Sequence, residues 1–243
     1  MKTYYLKRSC LWVIGIAATF SCLADENASE QLFSAKEIVN NAIIKFEQTQ
    51  NEHWSYSISR YENEEGDITS SIEQYSPQSS EPWLLKQMNG EQPTNRQIKK
   101  FAKTKQVQID KNKEGSNIRL KLRELINQDS LTIVSANDKD IVMAFNVNFK
   151  KLGKDSIGKL QGELSYQKEK QFIEKISIWN NAEFSPMFTA NITDLAITFT
   201  FLEINGAVLT KQNAMKMKGS FAYFTEINET SVDDFSAYVY QGK

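Results

Sequence analysis

Cysteine is almost absent from this chain of 243 residues. Its two cysteines, Cys10 and Cys22, both lie within the first 24 residues, and His53 is the single histidine. Without those first residues the chain would contain no thiol for a disulfide bond or for a cysteine metal site. Its stability would then depend on packing, and a domain of this length buries enough surface to supply it.

Short catalytic motifs are missing as well. No G-x-S-x-G, H-E-x-x-H or phosphate-loop pattern occurs. His53 falls in the polar register of a predicted strand, so we interpret it as a solvated residue and not as a base or metal ligand. The acids Glu62, Glu64, Glu65 and Asp67 cluster at a predicted hairpin turn, but their spacing lacks the pattern of a calcium loop. The sequence therefore predicts no enzyme, cofactor or metal site, and a hydrolase with unidentified carboxylates is the remaining catalytic alternative.

An excess of basic charge is also lacking. The chain has 29 Lys and Arg residues against 30 Asp and Glu residues, which gives a net charge of −1. If the first 24 residues are removed, three basic residues go with them and 26 remain. No basic stripe of the kind that phosphate backbones require stands out. Nucleic acid is therefore not an expected partner.

The first 24 residues have the pattern of a secretory signal peptide. Three basic residues come first, Lys2, Lys7 and Arg8. A mostly apolar run over residues 11–20 follows, and small Ala24 precedes the first acid, Asp25. A run of about ten residues is too short to span a bilayer. We expect a single domain over residues 25–243 in the periplasm, with a lipoprotein anchored at Cys22 as the alternative.

Two amphipathic helices are predicted. Residues 35–49 carry apolar side chains at helical spacing after a capping box at Ser34, and residues 25–33 are predicted to be a polar arm. Residues 94–103 form the second helix, with Thr94 as its cap. The charged residues 104–117 are predicted to be a surface loop.

Most of the remaining chain alternates with the period of strands. Ile141, Met143, Phe145, Val147 and Phe149 share one face, as do Leu195, Ile197, Phe199 and Phe201. A late strand is predicted over residues 215–226. About nine antiparallel strands of this kind predict a mainly β (α+β) fold, a curled sheet that forms an incomplete barrel covered by two or three helices.

Three short segments resemble a known family. Trp83-Leu84-Leu85, Asn89-Gly90 and Pro93-Thr94 follow one another after an early helix and a hairpin, and residues 235–240 (FSAYVY) close the chain with an aromatic strand. In this order they resemble outer-membrane lipoprotein-sorting proteins, which share the fold of the LolA/LolB-like periplasmic carriers. The resemblance implies a half-barrel whose apolar cavity takes up acyl chains.

Seven aromatic side chains and one isoleucine are the candidates for lining such a cavity. The residues are Ile38, Phe46, Phe145, Phe149, Phe199, Phe201, Phe221 and Tyr223. Ordinary core packing is the alternative interpretation of the same rings. The leading hypothesis is an exported, non-enzymatic carrier or sensor of acyl chains, lipids or lipoproteins, in transient contact with envelope membrane proteins. The alternative is an envelope interaction or structural module with a filled core.

We expect the mature protein to begin at an unmodified Asp25, because the small residue Ala24 precedes it at the end of the signal pattern. N-terminal sequencing and the intact mass of protein purified from the periplasm check this. Recovery of a lipidated Cys22, by mass and by detergent partitioning, would contradict it.

Overall fold

The computed structural model describes residues 20–113, 120–148, 152–222 and 225–242, with side chains from residue 34 onward except at 108–113. Three α-helices lie in these residues: α1 Phe20–Gln48, α2 Asn95–Lys113 and α3 Leu122–Leu125. Eleven strands lie there too: β1 Trp54–Glu64, β2 Asp67–Tyr75, β3 Trp83–Met88, β4 Thr132–Ala136, β5 Asp140–Asn146, β6 Leu160–Gln167, β7 Phe172–Asn180, β8 Phe184–Met187, β9 Ala190–Ile204, β10 Ala207–Phe221 and β11 Thr225–Tyr240. Across the described residues, no helix combines the length and the apolarity that a membrane crossing needs.

All eleven strands belong to one antiparallel sheet. Its order is β3-β2-β1-β11-β10-β9-β7-β6-β5-β4, and β8 pairs with β9 beside this path. The sheet is open, with β3 and β4 at its edges. A sheet of this width curls because each pair of neighbouring strands is twisted. The predicted fold class, a curled antiparallel half-barrel with a few helices, is confirmed.

Helix α1 begins earlier than the sequence predicts. It begins at Phe20 and ends at Gln48, so the predicted end is confirmed but the predicted polar arm over residues 25–33 is wrong. Those nine residues (DENASEQLF) contain no proline or glycine and include several good helix formers, so the helix continues through them. Ser34 therefore lies within the helix and is not an N-cap.

One face of α1 covers the sheet and forms the main core with it. The buried residues of this face are Ala35, Val39, Ala42, Ile43 and Phe46. On the sheet side Met143, Leu164 and Ile176 have no exposed surface. Ile38, which was predicted on the same face, is partly buried against this core. Burial of apolar surface from both sides is the main force that holds α1 on the sheet.

Helix α2 extends ten residues beyond its predicted end. The predicted loop over residues 104–117 is therefore wrong as far as Lys113, where α2 ends. Residues 104–113 (TKQVQIDKNK) contain no proline or glycine and are rich in lysine and glutamine, which are good helix formers. High charge indicated a loop, but it is equally typical of a solvated helix face.

The last two strands differ from the prediction. The predicted strand 215–226 is confirmed as far as Phe221 and wrong beyond it, because β10 ends there and Phe221 pairs with Thr225 at the beginning of β11. Ala222 follows with a positive φ of 50°, a backbone conformation that usually selects glycine or asparagine. The turn at Asn205-Gly206, which has the expected residue types, is present between β9 and β10.

The core beneath β5 and β6 is tightly filled. Phe145 is 4% exposed, and its ring lies over Gly162, the residue opposite it on β6. A Cβ atom at position 162 would lie 2.3 Å from Cζ of Phe145. This glycine is therefore required by the ring that covers it, and the alternation predicted for Phe145 is confirmed.

The outer edge at β4 is short and fully exposed. All five of its residues are exposed, including Ile133 and Val134. The register against β5 shifts between Ile133 and Ser135, so a bulge interrupts this edge.

Replacement of Phe145 by Ala should destabilise the protein by roughly 3 to 5 kcal/mol, because the ring fills the space above Gly162. Asn146→Ala is the matched control: Asn146 is exposed on the other face of the same strand and should cost under about 0.5 kcal/mol. Chemical denaturation of both variants measures the difference. Equal losses would show that the strand register is wrong.

Gly162→Ala should also destabilise the protein, because its new Cβ would overlap the Phe145 ring. In the double variant Phe145→Ala/Gly162→Ala the overlap is gone, so we expect a loss clearly smaller than the sum of the two single losses. The free energies of unfolding of the three variants test this. Strict additivity would contradict the packing described for this pair.

Candidate functional site

The inward face of β1 changes from apolar to charged along its length. Trp54, Tyr56 and Ile58 begin this face, and Arg60 and Glu62 continue it with the same period of two. Ile58 is 2% exposed, whereas Arg60 is only partly buried. Across the sheet, the main core under α1 is apolar, and we call it the apolar half; the region that faces α2 is lined by charged residues, and we call it the charged half.

Glu73 on β2 is the centre of a buried ionic network. Its side chain is 6% exposed, and its two carboxylate oxygens accept hydrogen bonds from different cations. Arg60 Nε donates to Oε1 over 2.8 Å, and Lys105 Nζ of α2 donates to Oε2 over 2.6 Å. Arg60 also donates from Nη1 to Asp233 on β11, over 2.5 Å. The network thus joins three strands to α2.

Lys105 is enclosed by aromatic rings as well as by Glu73. Its ammonium lies 4.0 Å from the ring centroid of Trp83 and 5.1 Å from that of Phe101. Both distances are within the range of cation–π attraction. The side chain of Lys105 is 9% exposed, so solvent screens these contacts little.

Burial changes the protonation equilibria of this network. It lowers the pKa of Lys105 below its usual range, and the carboxylate of Glu73 opposes this change. It also raises the pKa of Asp233, and the nearby Arg60 guanidinium does not offset the rise. Both groups are therefore less inclined to carry their charges here than in water.

A cluster of aromatic residues lies beside the network. Tyr56 is its centre, and its ring contacts those of Tyr75, Trp83, Phe235 and Tyr238, with centroid distances between 5.2 and 6.1 Å. Burial raises the pKa of Tyr56 well above its usual range, so this residue stays a neutral phenol. Trp83 belongs to this cluster and also contacts Lys105, so the rings pack directly beside the charged network.

The beginning of α2 is fixed by the predicted capping box. Thr94 N and Gln97 N each donate to the side chain of the other residue, over 2.8 and 3.3 Å. This reciprocal pair satisfies backbone groups at the helix beginning. Together with Lys105, it holds the first three turns of α2 above the sheet.

A cleft of about 840 Å³ lies between α2 and strands β1, β2 and β3, and we refer to it as the α2 cleft. Leu85, Met88 and Phe101 contribute apolar surface to its walls. Its charged lining residues are Arg60, Arg96, Lys100, Lys105, Glu62 and Glu73. Its volume is within the range of sites that bind small molecules.

Two smaller cavities flank α1. One of about 430 Å³ lies at the end of the helix, between Gln48, Trp54 and Tyr240. The other, of about 390 Å³, is lined by Ile38 and Tyr166. Ile38 is thus the one predicted cavity residue that lines any of these three cavities.

The other predicted cavity residues are placed differently. Phe46, Phe145 and Phe201 are buried in the main core, and the rings of Phe46 and Phe201 meet edge to face at 5.2 Å. Phe199 is partly buried against that core, and Phe221 is 45% exposed at the end of β10. Phe149 and Tyr223 lie outside the described residues. The structure therefore places three of the rings in the main core and leaves Phe221 exposed outside it.

Within the described residues, no group of three or more His, Cys, Asp or Glu side chains could hold a metal ion. His53 lies just before β1, and its ring meets that of Tyr240 edge to face, with 6.0 Å between the ring centroids. Glu62 is exposed and lines the α2 cleft. Glu64 at the end of β1 and Asp67 at the beginning of β2 are opposite each other in the register of the hairpin.

Sequence reasoning missed the ionic network. Its signal was present, because Arg60 continues the alternation of Trp54, Tyr56 and Ile58. Charged residues on an alternating strand are ordinarily assigned to the solvent-exposed face. Arg60 was therefore not predicted to lie on the inward face, although its position in the alternation places it there. No local pattern connects Glu73 with Lys105, which are 32 residues apart.

No family model matches this chain, and no curated protein matches it. Two solved structures resemble it at 9% sequence identity. A DUF1329 family protein from Desulfovibrio piger has a TM-score of 0.34 over 86% of this chain and 92% of its own. The MucA/MucB complex of Pseudomonas aeruginosa has a TM-score of 0.23 over 86% of this chain and 100% of the matched chain. At these TM-scores the likeness assigns no function.

Lys105→Met should destabilise the protein by about 3 kcal/mol, because it leaves the buried Glu73 carboxylate with one cation instead of two. Lys103→Met is the matched control: Lys103 is exposed on the same helix and should cost under about 0.5 kcal/mol. Denaturant unfolding measures both variants. A loss for Lys105→Met no larger than that of the control would show that the network does not hold α2 in place.

Proposed function

We propose that this protein is an exported, non-enzymatic carrier or sensor that binds an acyl chain or lipid in the α2 cleft. The observation that carries the proposal is the cleft itself, an open space of about 840 Å³ with apolar side chains in its walls. The interior under α1 is less suited to a ligand, because the rings of Phe46 and Phe201 are already in contact there. The ligand site is thus proposed beside the predicted aromatic cavity and not within it.

The energetics of acyl binding fit this cleft. Each methylene removed from water contributes about 0.8 kcal/mol, so a short chain against Leu85, Met88 and Phe101 gains affinity without a specific polar contact. The costs of association remove several kilocalories from this gain. Binding in the micromolar range is the expected result.

Export supports the same proposal. The signal pattern of the first 24 residues predicts export to the periplasm, where acyl-bearing molecules have to cross an aqueous space between membranes. The resemblance of Trp83-Leu84-Leu85 and the following turn to the LolA/LolB-like carriers agrees with this role. The proposed cycle is entry of the chain into the cleft and its release at a membrane or partner.

An envelope protein-interaction module is the second candidate. The tightly filled core is the observation that favours it, in particular the Phe145 ring packed directly over Gly162. Such a module would need no ligand space, so the α2 cleft would be without a function. Ligand binding at this cleft separates the two candidates.

A solvatochromic fatty-acid probe should bind the wild-type protein saturably, at one or two probes per molecule. Met88→Asp should weaken this binding at least tenfold, because a charge on the cleft wall opposes burial of the chain. Leu84→Asp is the matched control: Leu84 is 43% exposed on the same strand, does not line the cleft and should leave the affinity unchanged. Fluorescence titration measures all three proteins, and circular dichroism verifies that they are folded.

Absence of saturable binding to folded wild-type protein would overturn the carrier proposal and leave the interaction module. Equal weakening by the Met88 and Leu84 variants would place the ligand outside the cleft.

A further inference from the structure

The first part of α2 is strongly basic, although the protein as a whole has no excess of basic over acidic residues. Residues 95–107 contain five basic side chains and no acidic one, whereas the whole chain has a net charge of −1. Three of the five, Arg96, Lys100 and Lys105, line the α2 cleft. Lys99 and Lys103 are exposed and do not line it. The lining of the cleft thus contains more basic than acidic residues, although the chain as a whole is slightly acidic.

The basic residues of the cleft fall into two classes. Lys105 is buried and Arg60 is partly buried, and both are bound to Glu73, Arg60 also to Asp233. Arg96 and Lys100 are exposed on the rim, and within the described part of the chain neither has an ion-pair partner. Arg60 and Lys105 are thus neutralised by carboxylates. Arg96 and Lys100, which we call the rim pair, are not, so their charges are available to a ligand.

The geometry of the rim pair fits one anionic group. Arg96 and Lys100 are four residues apart on α2, so their side chains are neighbours on the helix surface. Phe101 follows Lys100 directly and contributes apolar surface to the same cleft. An acidic head bound by the rim pair would therefore leave its chain beside the apolar wall.

We propose that the α2 cleft selects acyl ligands that carry an anionic head, a carboxylate or a phosphate, and that Arg96 and Lys100 bind this head. The inference rests on the proposed function, since it specifies the polar end of the ligand that the cleft takes. Arg96 presents a planar fork that matches the oxygens of either anion, and Lys100 adds a point charge.

Competition between ligands of equal chain length tests the head group. Displacement of the uncharged solvatochromic dye Nile red from the wild-type protein is followed with decanoate, decanol and decylammonium. Decanoate should bind about fivefold to tenfold more tightly than decanol, as two solvent-exposed charge pairs allow, and decylammonium should bind more weakly than decanol. High ionic strength should reduce the advantage of decanoate.

Two double variants distinguish the rim pair from the general field of the helix. Arg96→Gln/Lys100→Gln should reduce the preference for decanoate over decanol to twofold or less and leave the affinity for Nile red unchanged. Lys99→Gln/Lys103→Gln removes the same charge from the same helix outside the cleft and should keep the preference. An equal loss in both variants would overturn the assignment to Arg96 and Lys100.

The outcomes separate this inference from the function on which it rests. Equal displacement by all three ligands would overturn the anionic head group and leave the acyl carrier intact. Failure of Nile red and of every ligand to bind would overturn the carrier itself. Displacement by inorganic phosphate at the concentrations effective for decanoate would show that the cleft takes a free anion, and would overturn the acyl part of the inference.

Discussion

The position of α2, and with it the α2 cleft, depends on the buried carboxylate of Glu73. This group receives one cation from the sheet, Arg60, and one from the helix, Lys105. A carboxylate that is 6% exposed on its side chain is costly to desolvate, so it is stable there only while both donors remain in place. The helix is therefore positioned by electrostatic complementarity, whereas α1 is positioned by apolar packing.

The two helices cover the same sheet through different interactions, which explains why the protein has both a filled core under α1 and an open cleft under α2. Under α1, apolar side chains from helix and strands interdigitate until residues such as Ile43 and Met143 have no exposed surface. Under α2, the charged side chains of Arg60, Glu73 and Lys105 bond to one another, so their geometry satisfies charge instead of filling space. Incomplete filling in the second half follows from this chemistry, and the aromatic residues around Tyr56 pack beside the network there.

The amino-acid sequence predicts the apolar half of the molecule well. The helical spacing of α1 and the alternation around Phe145 depend on local periodicity, which survives in the fold because burial enforces it. The charged half was not predicted, because Arg60, Glu73 and Lys105 form their network through contacts between segments that are distant in the sequence. The turn at Ala222 was missed for a related reason: it uses none of the residues that ordinarily mark a turn, and the pairing of β10 with β11 imposes it. The candidate cleft could be found in three dimensions but not in the sequence.

The bulge in β4 has a consequence for how the molecule behaves beside its own copies. An open sheet presents unpaired backbone groups at its edges, and these groups can add a strand from another molecule. Thr132 and Ile133 are out of register with Ser135 and Ala136, so a straight incoming strand cannot pair with the whole of this edge. The bulge therefore makes the β4 edge a poorer template for a straight incoming strand than a regular edge of the same length would be.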